Sequence, residues 1–453
     1  MDKLLAAVFS DEGQRETIDR CVDKGMPIAV LRGLCSKDVR MGIAAELADG
    51  TYESEVPHTA QIPKDEIDPE TGKMKFRTVI IHDCVTRWLA TRVNDSLFKL
   101  CSDMVHPACM SYQKGIGCGK VVQQVASLIR RHAKADDNSI IGWKADLSKY
   151  FDSVPRDVIM LELDAVETRL GKSCVVDWLR RVYNDDRLYD SELKMQVVKF
   201  QSLKQGFAPA SFFADSTLRY VDDRLSQLNG IYYRYSDDTL FIGEDWKQAM
   251  EVMSQMLADL GLTLNPKKVQ YITAETPFTF LGFSIRGEQI SLSPKRLQTF
   301  VKEVRKRTIK RAKAARIKAR HEHKPLTDKN YQNMAQQAVR SINAWMLRGN
   351  GRFSWATSCL PIINNEHDIH ILDEFVKDNI RAIIGRGDMP VHVGGIGYVT
   401  NNPEGMLVRG TGTHMILAKA LSPTMIDGYK SLWALKKTMG DMPQFWTLVR
   451  QTA

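Results

Sequence analysis

The pattern of apolar and polar positions predicts a mixed α+β chain up to about residue 294. Residues 61–83 are predicted to form a β-ribbon, because a turn region rich in Pro, Asp and Gly leads into the β-branched run Thr78–Ile81. Residues 140–151 begin as a buried strand and turn into a loop at Asp146. Helical spacing is predicted for the ranges 84–110, 120–135, 155–184 and 210–228.

Two short hairpins and an amphipathic helix complete this part of the chain. Residues 231–243 and 279–293 have the β-branched and aromatic content of hairpins, and residues 247–261 have helical spacing. Beyond them, residues 295–320 include twelve Lys or Arg and one acidic residue on a helical pattern. Because almost no acidic residue neutralises these cations, the segment is predicted to be a helix that contacts phosphates rather than a helix that is simply solvated. Further helices are predicted at about 328–348, at 366–385 and in the last residues of the chain, "PQFWTLVRQTA".

The charge balance and the cysteines narrow the class of protein. A formal net charge of +9 and a pI near 9.0 suit a polyanionic partner. The eight cysteines have no Cys-x-x-Cys spacing, so we expect reduced thiols in a cytoplasmic protein rather than disulfides or a zinc site. Since no apolar run approaches the length of a bilayer, no membrane partner is expected.

The pattern Tyr-x-Asp-Asp occurs twice, at Tyr220–Asp223 and at Tyr235–Asp238. The first copy lies on a predicted amphipathic helix, so Asp222 and Asp223 are interpreted as solvated carboxylates beside its apolar stripe. The second copy lies in a tight turn between two predicted strands, which would hold both carboxylates at a fixed point. Taken alone, this second copy also fits an ordinary polar hairpin turn.

A third carboxylate favours a metal site at the second copy. Asp146 ends a hydrophobic strand, and the helices and strands between it and Asp237 are enough to bring the two strand ends side by side. Three carboxylates in one place repel each other unless a cation lies among them. Two Mg²⁺ ions are the usual arrangement in polymerases that transfer phosphoryl groups.

These segments, in their order and spacing, resemble the reverse transcriptases. The resemblance covers about residues 60–290 and is carried by "IPK…KMKFRTV", "ADLSKYFDSV", "QGFAPASFFADSTLRYVD", "YSDDTLFIG", "LADLGLTLNPKKVQ" and "FTFLGFSI". The spacing is most similar to the prokaryotic branch, which includes group II intron, retron, diversity-generating and phage-defence enzymes. It implies an α+β right-hand polymerase fold. The implied segments are an N-terminal helical extension (1–60), fingers and palm (61–294), a helical thumb (295–388) and a C-terminal extension of unknown role (389–453).

The resemblance also implies roles for individual residues. Asp146 and Asp237 would hold two Mg²⁺ ions, for which Mn²⁺ is a substitute, and Asp238 would support the pair. The other implied contacts are Lys64, Lys75 and Arg77 to the triphosphate, Phe151 against the sugar 2′ side, Gln205 and Gly206 to the incoming nucleotide, Lys268 near the phosphates, and Leu281, Gly282 and Phe283 at the primer end. The basic helix, with Arg305, Lys306 and Lys310, would follow the template–product duplex. A solvated hairpin remains the alternative for the three ribbon cations, and plain core packing the alternative for Phe151.

The expected activity is RNA-directed DNA synthesis from dNTPs, with an RNA template, a DNA product and a dedicated non-coding RNA in bacterial anti-phage defence. Template-independent DNA synthesis, a maturase-like RNA-binding scaffold and an RNA-directed RNA polymerase stay open, although a bulky Phe151 disfavours ribonucleotides. Two departures from the common pattern occur: Ala210 and Ser211 stand where most relatives have Ser-Pro, and Ser236 stands where Ala is common. "GIGCGK" (115–120) is not a phosphate loop, because Val121 occupies the place of the required Ser or Thr. A homo-oligomer or a protein partner is left open.

Overall fold

The computed structural model describes residues 2–23, 25–67, 71–113, 116–132, 139–347, 354–385, 387–399, 401–410, 415–418 and 428–438. The chain divides into two compact units, each described here by itself. The first unit consists of residues 1–116 and 142–271, and the second of residues 117–141 and 272–453. These two units are defined by how compactly their residues pack, whereas the four segments proposed from the sequence are defined by their expected functions. Those four segments remain a prediction.

The first unit begins with four helices, and elements are numbered in chain order. They are α1 (Lys3–Phe9), α2 (Gln14–Asp23), α3 (Ile28–Cys35) and α4 (Lys37–Ala48). Asp2 caps α1, because its carboxylate accepts a 2.9 Å hydrogen bond from the Leu5 amide. The long helix α5 (Cys84–Leu100) is capped in the same way by Asp83, which accepts from the amides of Val85 and Thr86.

A ribbon confirms the β prediction for residues 61–83. Strand β1 (His58–Ile67) pairs antiparallel with β2 (Met74–Ile81), and the register places Ile62 opposite Arg77. Strands β4 (Arg187–Asp190) and β5 (Met195–Val198) extend this sheet in the order β2-β1-β4-β5. Most side chains of β2 are exposed, so this end of the ribbon faces solvent.

A second sheet is covered by helices and carries the carboxylates. Its order is β6-β7-β3-β8, with β3 (Gly142–Asp146), β6 (Gly230–Tyr235), β7 (Asp238–Gly243) and β8 (Gln270–Ile272). Trp143 and Phe241 face each other in register and stack at 6.2 Å between ring centroids, both fully buried. The helices of this region are α7 (Tyr150–Ser153), α8 (Arg156–Leu170), α9 (Cys174–Asn184), α10 (Ala210–Ser216), α11 (Arg219–Ser226) and α12 (Trp246–Asp259).

The second unit joins a helix from the middle of the sequence to the C-terminal half. Its helices are α6 (Cys118–His132), α13 (Pro294–Arg307), α14 (Ile309–His321), α15 (Asp328–Leu347), α16 (Trp355–Cys359), α17 (Glu366–Arg381) and α18 (Leu432–Thr438). Its strands are β9 (Phe278–Phe280), β10 (Phe283–Arg286), β11 (Gln289–Leu292), β12 (Met389–His392), β13 (Ile396–Tyr398), β14 (Leu407–Arg409) and β15 (Met415–Ala418). Short 3₁₀ turns occupy Ser102–Met104, Pro266–Lys268 and Ala382–Ile384.

The mixed α+β class is confirmed, with four differences in the helices. The helices expected at 210–228 and at 155–184 are each two helices, and the basic segment is broken at Thr308, whose φ of −115° and ψ of −98° lie outside the helical region. The helix expected at 84–110 ends at Leu100 and is followed by a short 3₁₀ turn. The last predicted helix falls outside the described residues. The seven cysteines whose side chains are described are all free. None of the described helices has the length and apolar content needed to cross a bilayer.

Candidate active site

Two of the predicted carboxylates lie directly opposite each other in the covered sheet. Asp146 is the last residue of β3 and is 7% exposed, and Asp238 is the first residue of β7. The two are register partners in this antiparallel pair. Residues paired in this way have Cβ atoms about 4.5–5.5 Å apart, so the two carboxylates share one face at one end of the sheet.

The third carboxylate lies in the turn that joins β6 to β7. Ser236 and Asp237 form this two-residue turn, and the Asp237 carbonyl accepts a 3.0 Å hydrogen bond from the Leu147 amide just beyond β3. Ser236 has a φ of 59°, a left-handed conformation that is uncommon for a residue with a side chain. The hairpin predicted at 231–243 is therefore confirmed, and its turn brings Asp237 beside Asp146.

Two lysines neutralise the two carboxylates on the strands. The Lys268 ammonium lies 2.9 Å from both carboxylate oxygens of Asp146, and the Lys144 ammonium lies 2.9 Å from Asp238 Oδ1. Sequence reasoning found Lys268 but missed Lys144. The signal for Lys144 was its place on β3 two residues before Asp146, because alternate residues of a strand share a face.

The segment "LNPKK" explains how Lys268 reaches the site. Asn265 donates its amide to the Asp146 carbonyl at 2.8 Å, which fixes this segment beside the end of β3. Its side chain then accepts from the Lys267 amide and starts the 3₁₀ turn Pro266–Lys268. Burial alone would lower the pKa of Lys268. The hydrogen bond to Asp146 and the nearby aspartate charges outweigh burial and raise this pKa above its ordinary value.

The electrostatics of Asp237 show that the cluster is poor in positive charge. Burial raises the pKa of Asp237, and the charges of Asp146 and Asp238 raise it further. Three carboxylates compete here for two ammonium groups, so an added cation would stabilise the ionised cluster.

The donor chemistry of the cluster fits a hard divalent cation, although the ligands are not arranged as a finished cage. Within the described part of the chain, no set of three or more His, Cys, Asp and Glu side chains has the geometry of a metal site. Mg²⁺ is commonly bound by one or two carboxylates together with substrate phosphates and waters, rather than by a cage made of protein alone. Asp146, Asp237 and Asp238 supply ligand oxygens of that kind.

The loop containing Gln205 and Gly206 is fastened to the ribbon. The Ile80 amide of β2 donates a 2.7 Å hydrogen bond to the Gln205 carbonyl. Gly206 has a φ of 112°, and a Cβ at this position would lie 2.4 Å from the Ile80 carbonyl oxygen. Only glycine fits so close to that strand. Lys75 and Arg77, nearer the start of the same strand, are exposed, as is Lys64 on β1.

Phe151 is half-buried on the short helix α7, five residues after Asp146. Its ring meets Tyr150 edge-on at 5.8 Å, and its carbonyl accepts from the Leu203 amide at 3.2 Å. Part of the ring therefore packs on the core while part stays accessible.

The residues expected at the primer end lie in the second unit. Leu281 and Gly282 form the turn between β9 and β10, with φ angles of 48° and 80°. The Arg296 guanidinium stacks over the Phe283 ring at 4.3 Å and donates to the Leu281 carbonyl at 3.2 Å. A Cβ on Gly282 would lie 2.4 Å from Arg296 Nε, so this turn also requires glycine.

The basic segment divides its cations between two tasks. Arg305 is half-buried, donates to the Val393 carbonyl at 3.4 Å and lies 5.8 Å from the Phe375 ring centroid. It therefore holds the fold of the second unit together. Lys306 and Lys310 are exposed and can reach an external polyanion.

The interpretation of the first Tyr-x-Asp-Asp is wrong for Asp222. Asp223 is exposed as expected, with 61% of its side chain accessible, but Asp222 is fully buried. Its carboxylate pairs with the buried Arg234 guanidinium at 2.6 Å. The helical stripe accounts only for apolar contacts, and it cannot reveal a charged partner on a strand twelve residues further along the chain.

Three carboxylates on a strand end and a hairpin turn, beside a lysine from a following turn, form a cluster that can bind divalent cations together with phosphate groups. Residues 62–285, just under half of the chain, match the family described as reverse transcriptase (RNA-dependent DNA polymerase). This match, together with the mixed helices and antiparallel sheets, supports the right-hand polymerase fold and confirms the predicted fold class.

The solved structures to which this chain is similar are distant in sequence, and the chain spans less than two thirds of their length. The RNA-dependent RNA polymerase of a human picorbirnavirus, as an insertion loop deletion mutant, is 12% identical with a TM-score of 0.41, over 64% of this chain and 54% of that one. Apo telomerase from Candida tropicalis is 12% identical with a TM-score of 0.39, over 76% of this chain and 60% of that one. No curated protein sequence matches the chain.

Proposed function

We propose that this protein is an RNA-directed DNA polymerase that joins deoxynucleotides to the 3′-hydroxyl of a primer. The observation that carries the proposal is the cluster of Asp146, Asp237 and Asp238 inside the matched reverse transcriptase domain. The register of β3 and β7 and the strained turn place three carboxylates at one point, and the raised pKa of Asp237 follows from its burial and from the charges of Asp146 and Asp238. This is the property that a site for divalent cations requires.

In this proposal, Asp146 and Asp237 hold Mg²⁺, with Mn²⁺ as a substitute, and Asp238 supports them. When bound, the ions lower the pKa of the primer hydroxyl and neutralise charge on the pyrophosphate leaving group. The chain's own task is to hold the carboxylates in place before substrate arrives. Lys144 does this for Asp238, and Lys268 does it for Asp146.

The triphosphate is proposed to bind where exposed cations border the carboxylates. Lys268 keeps 54% of its side chain accessible, so it can exchange an oxygen of Asp146 for a phosphate oxygen. Lys64, Lys75 and Arg77, exposed on the ribbon, are the proposed clamp. The ribbon is tied to the nucleotide loop by the bond between Ile80 and Gln205.

Sugar selection is assigned to Phe151, and base positioning to Gln205 and Gly206. An apolar ring at the 2′ side would leave a ribonucleotide hydroxyl without hydrogen bonds, which favours deoxynucleotides. The departure at Ser211 has a structural use, since its hydroxyl lies 2.9 Å from the Ala208 carbonyl oxygen and 3.1 Å from the Asn94 side-chain oxygen and can donate to either. The loop after Gly206 is therefore still anchored without the Ser-Pro pair.

The second unit is proposed to hold the nucleic acid. The turn Leu281–Phe283 would contact the primer end, and the exposed Lys306 and Lys310 would contact phosphates of the duplex. Arg305 would serve the same surface mainly by fixing its helix. Contacts of this kind are independent of base sequence and are weakened by salt.

We also propose that the protein belongs to the prokaryotic branch and acts with a structured non-coding RNA in bacterial anti-phage defence, in the cytoplasm. Support comes from the spacing of the motifs and from the positive net charge. Purifying the protein and sequencing both the co-purifying RNA and the DNA product tests this proposal. A product complementary to one bound RNA supports it, and a product independent of any template contradicts it.

The activity is tested by primer extension on an RNA template with Mg²⁺ and dNTPs. Asp237→Asn should abolish incorporation. Asp223→Asn is the matched control, because it makes the same change in the other Tyr-x-Asp-Asp on an exposed side chain. If both variants extend the primer normally, the proposed site is wrong. If neither the variants nor the native protein extend it while structured RNA binds tightly, the scaffold alternative replaces the polymerase.

A further inference from the structure

The first Tyr-x-Asp-Asp is joined to the second by a buried ion pair. Asp222 accepts from Arg234 Nε at 2.7 Å and from Arg234 Nη2 at 2.6 Å, and both side chains are fully buried. Arg234 is the residue immediately before Tyr235 on β6. A carboxylate on α11 therefore holds the strand that leads into the turn carrying Asp237.

The same guanidinium reaches the turn itself. Arg234 Nη1 donates to the Ser236 carbonyl at 3.3 Å and to the Ala214 carbonyl at 3.3 Å. Its Nη2 also donates to the Asp215 carbonyl at 2.7 Å. Because the guanidinium is planar and rigid, its donors hold α10, α11 and the turn in one fixed arrangement.

A second set of hydrogen bonds, through Ser111, holds the backbone amide of Ser236. Ser111, fully buried, accepts a 2.9 Å hydrogen bond from the Ser236 amide and donates a 2.6 Å bond to Asp215 Oδ1. Asp215 is also fully buried, and its Oδ1 lies 3.7 Å from Arg234 Nη1. Both the amide and the carbonyl of Ser236 are thus bonded to buried groups that meet at Asp215.

This arrangement bears on the backbone strain in the turn. Ser236 keeps its φ of 59° without the freedom of glycine. A residue stays in such a conformation only where its surroundings impose it, and such residues concentrate at functional sites. Here the surroundings are two hydrogen bonds to one polar network, and the next two residues are Asp237 and Asp238.

We propose that Ser111, Asp215, Asp222 and Arg234, together the turn brace, are positioning residues that set the Asp237–Asp238 carboxylates for divalent-cation binding. This inference rests on the proposed function of those carboxylates. The brace contacts only the backbone of Ser236 on the near side of the turn, so it acts through geometry. Partners that orient ligands in this way typically change metal affinity or activity by about 10–100-fold when removed.

Ser111→Ala is the test variant, because it removes the hydrogen bonds to the Ser236 amide and to Asp215 and leaves the buried ion pair of Asp222 and Arg234 intact. Tyr232→Phe is its matched control. The Tyr232 hydroxyl donates to Asp222 Oδ1 at 3.2 Å, so its loss disturbs the same buried network without touching the turn. Both variants remove one buried hydroxyl from the same unit, and a general loss of stability should affect both.

Three measurements on the full-length protein separate positioning from general stability. Mn²⁺ affinity by electron paramagnetic resonance should fall about 10-fold or more in Ser111→Ala, and kcat should fall about 10–100-fold with the KM for dNTP within about 2-fold. Hydrogen exchange at the Ser236 amide should become faster in the same variant. Tyr232→Phe should keep Mn²⁺ affinity, kcat and the slow exchange of Ser236.

The failure of this inference can be told apart from the failure of the proposed function. If Asp237→Asn is fully active, the catalytic site has been misplaced and the proposed function fails. If Asp237→Asn is inactive while Ser111→Ala matches Tyr232→Phe in Mn²⁺ affinity and kcat, the site stands and the turn brace is only structural. Faster exchange at Ser236 with unchanged Mn²⁺ affinity likewise overturns the brace.

Discussion

His82 should make the first unit sensitive to mild acid. It follows β2, is 6% exposed and packs against the Phe207 ring at 5.1 Å. Neither ring nitrogen has a hydrogen-bond partner within the described part of the chain. Burial lowers the pKa of His82 to about 4, and the Lys204 ammonium adds to this effect against the opposing charges of Asp83 and Asp185.

The size and sign of the effect follow from proton linkage. The ordinary pKa of histidine is 6.5, so between pH 6.5 and 4 the unfolded chain binds a proton at His82 that the folded chain does not. The stability contributed by neutral His82 is complete above pH 6.5 and is lost as the pH falls toward 4. Integrating over this window gives a loss of about 2 kcal/mol at pH 5 and about 3 kcal/mol at pH 4.

The assay compares the native protein with His82→Phe in urea unfolding followed by tryptophan fluorescence. Phenylalanine keeps the aromatic contact with Phe207 and cannot be protonated, so the variant should lack this part of the acid sensitivity. The difference in unfolding free energy between the two proteins should change by about 2 kcal/mol between pH 7.5 and pH 5. Parallel loss of stability in both proteins would refute the reasoning, because it would assign the acid sensitivity to other groups.

Four further predictions concern the site and the nucleic-acid surface. Asp237→Ala should abolish primer extension, because it removes a proposed cation ligand. It should leave the circular dichroism spectrum unchanged, because it also removes one of three mutually repelling carboxylates. Asp222→Ala should lower the free energy of unfolding by about 3–5 kcal/mol, measured in urea, because it leaves a guanidinium buried without its partner. Phe151→Val should raise the ratio of ribonucleotide to deoxynucleotide incorporation about 10-fold or more, equivalent to about 1.4 kcal/mol. An unchanged ratio would show that the ring serves only in core packing. Lys306→Gln combined with Lys310→Gln should reduce the slope of log affinity against log salt concentration by about two units, one per lost contact. An unchanged slope would show that this helix does not contact the duplex.

The sequence predicted those parts of the site that depend on local patterns. A buried hydrophobic strand that ends at Asp146, and a hairpin around Asp237, follow from the local apolar pattern and from turn chemistry. Lys268 came from a resemblance, since nothing local shows that the segment "LNPKK" returns to the end of β3. Its return depends on the hydrogen bond from Asn265 to Asp146, which links residues more than a hundred positions apart.

The parts that the sequence could not predict depend on charge pairing across the fold. Arg234 looks like a solvated strand residue in "IYYRY", and Asp222 looks like a solvated helix residue. One signal was available: Arg234 alternates with the buried Tyr232, which places it on the inward face of β6. An inward arginine requires a carboxylate partner, but the chain offers many acids and the pairing becomes visible only in three dimensions. The break at Thr308 is hidden for a different reason, because helical spacing continues through it.

The two copies of Tyr-x-Asp-Asp therefore differ in use because their local structures differ. On a helix, successive carboxylates point in different directions, so Asp222 turns inward to Arg234 while Asp223 stays in solvent. On a hairpin turn, both carboxylates remain at the end of the sheet, where the facing strand adds Asp146. Because a buried charge without its partner is strongly destabilising, the pair of Asp222 and Arg234 either forms completely or disrupts its surroundings. An interaction of this kind suits the backbone next to a turn whose conformation is strained.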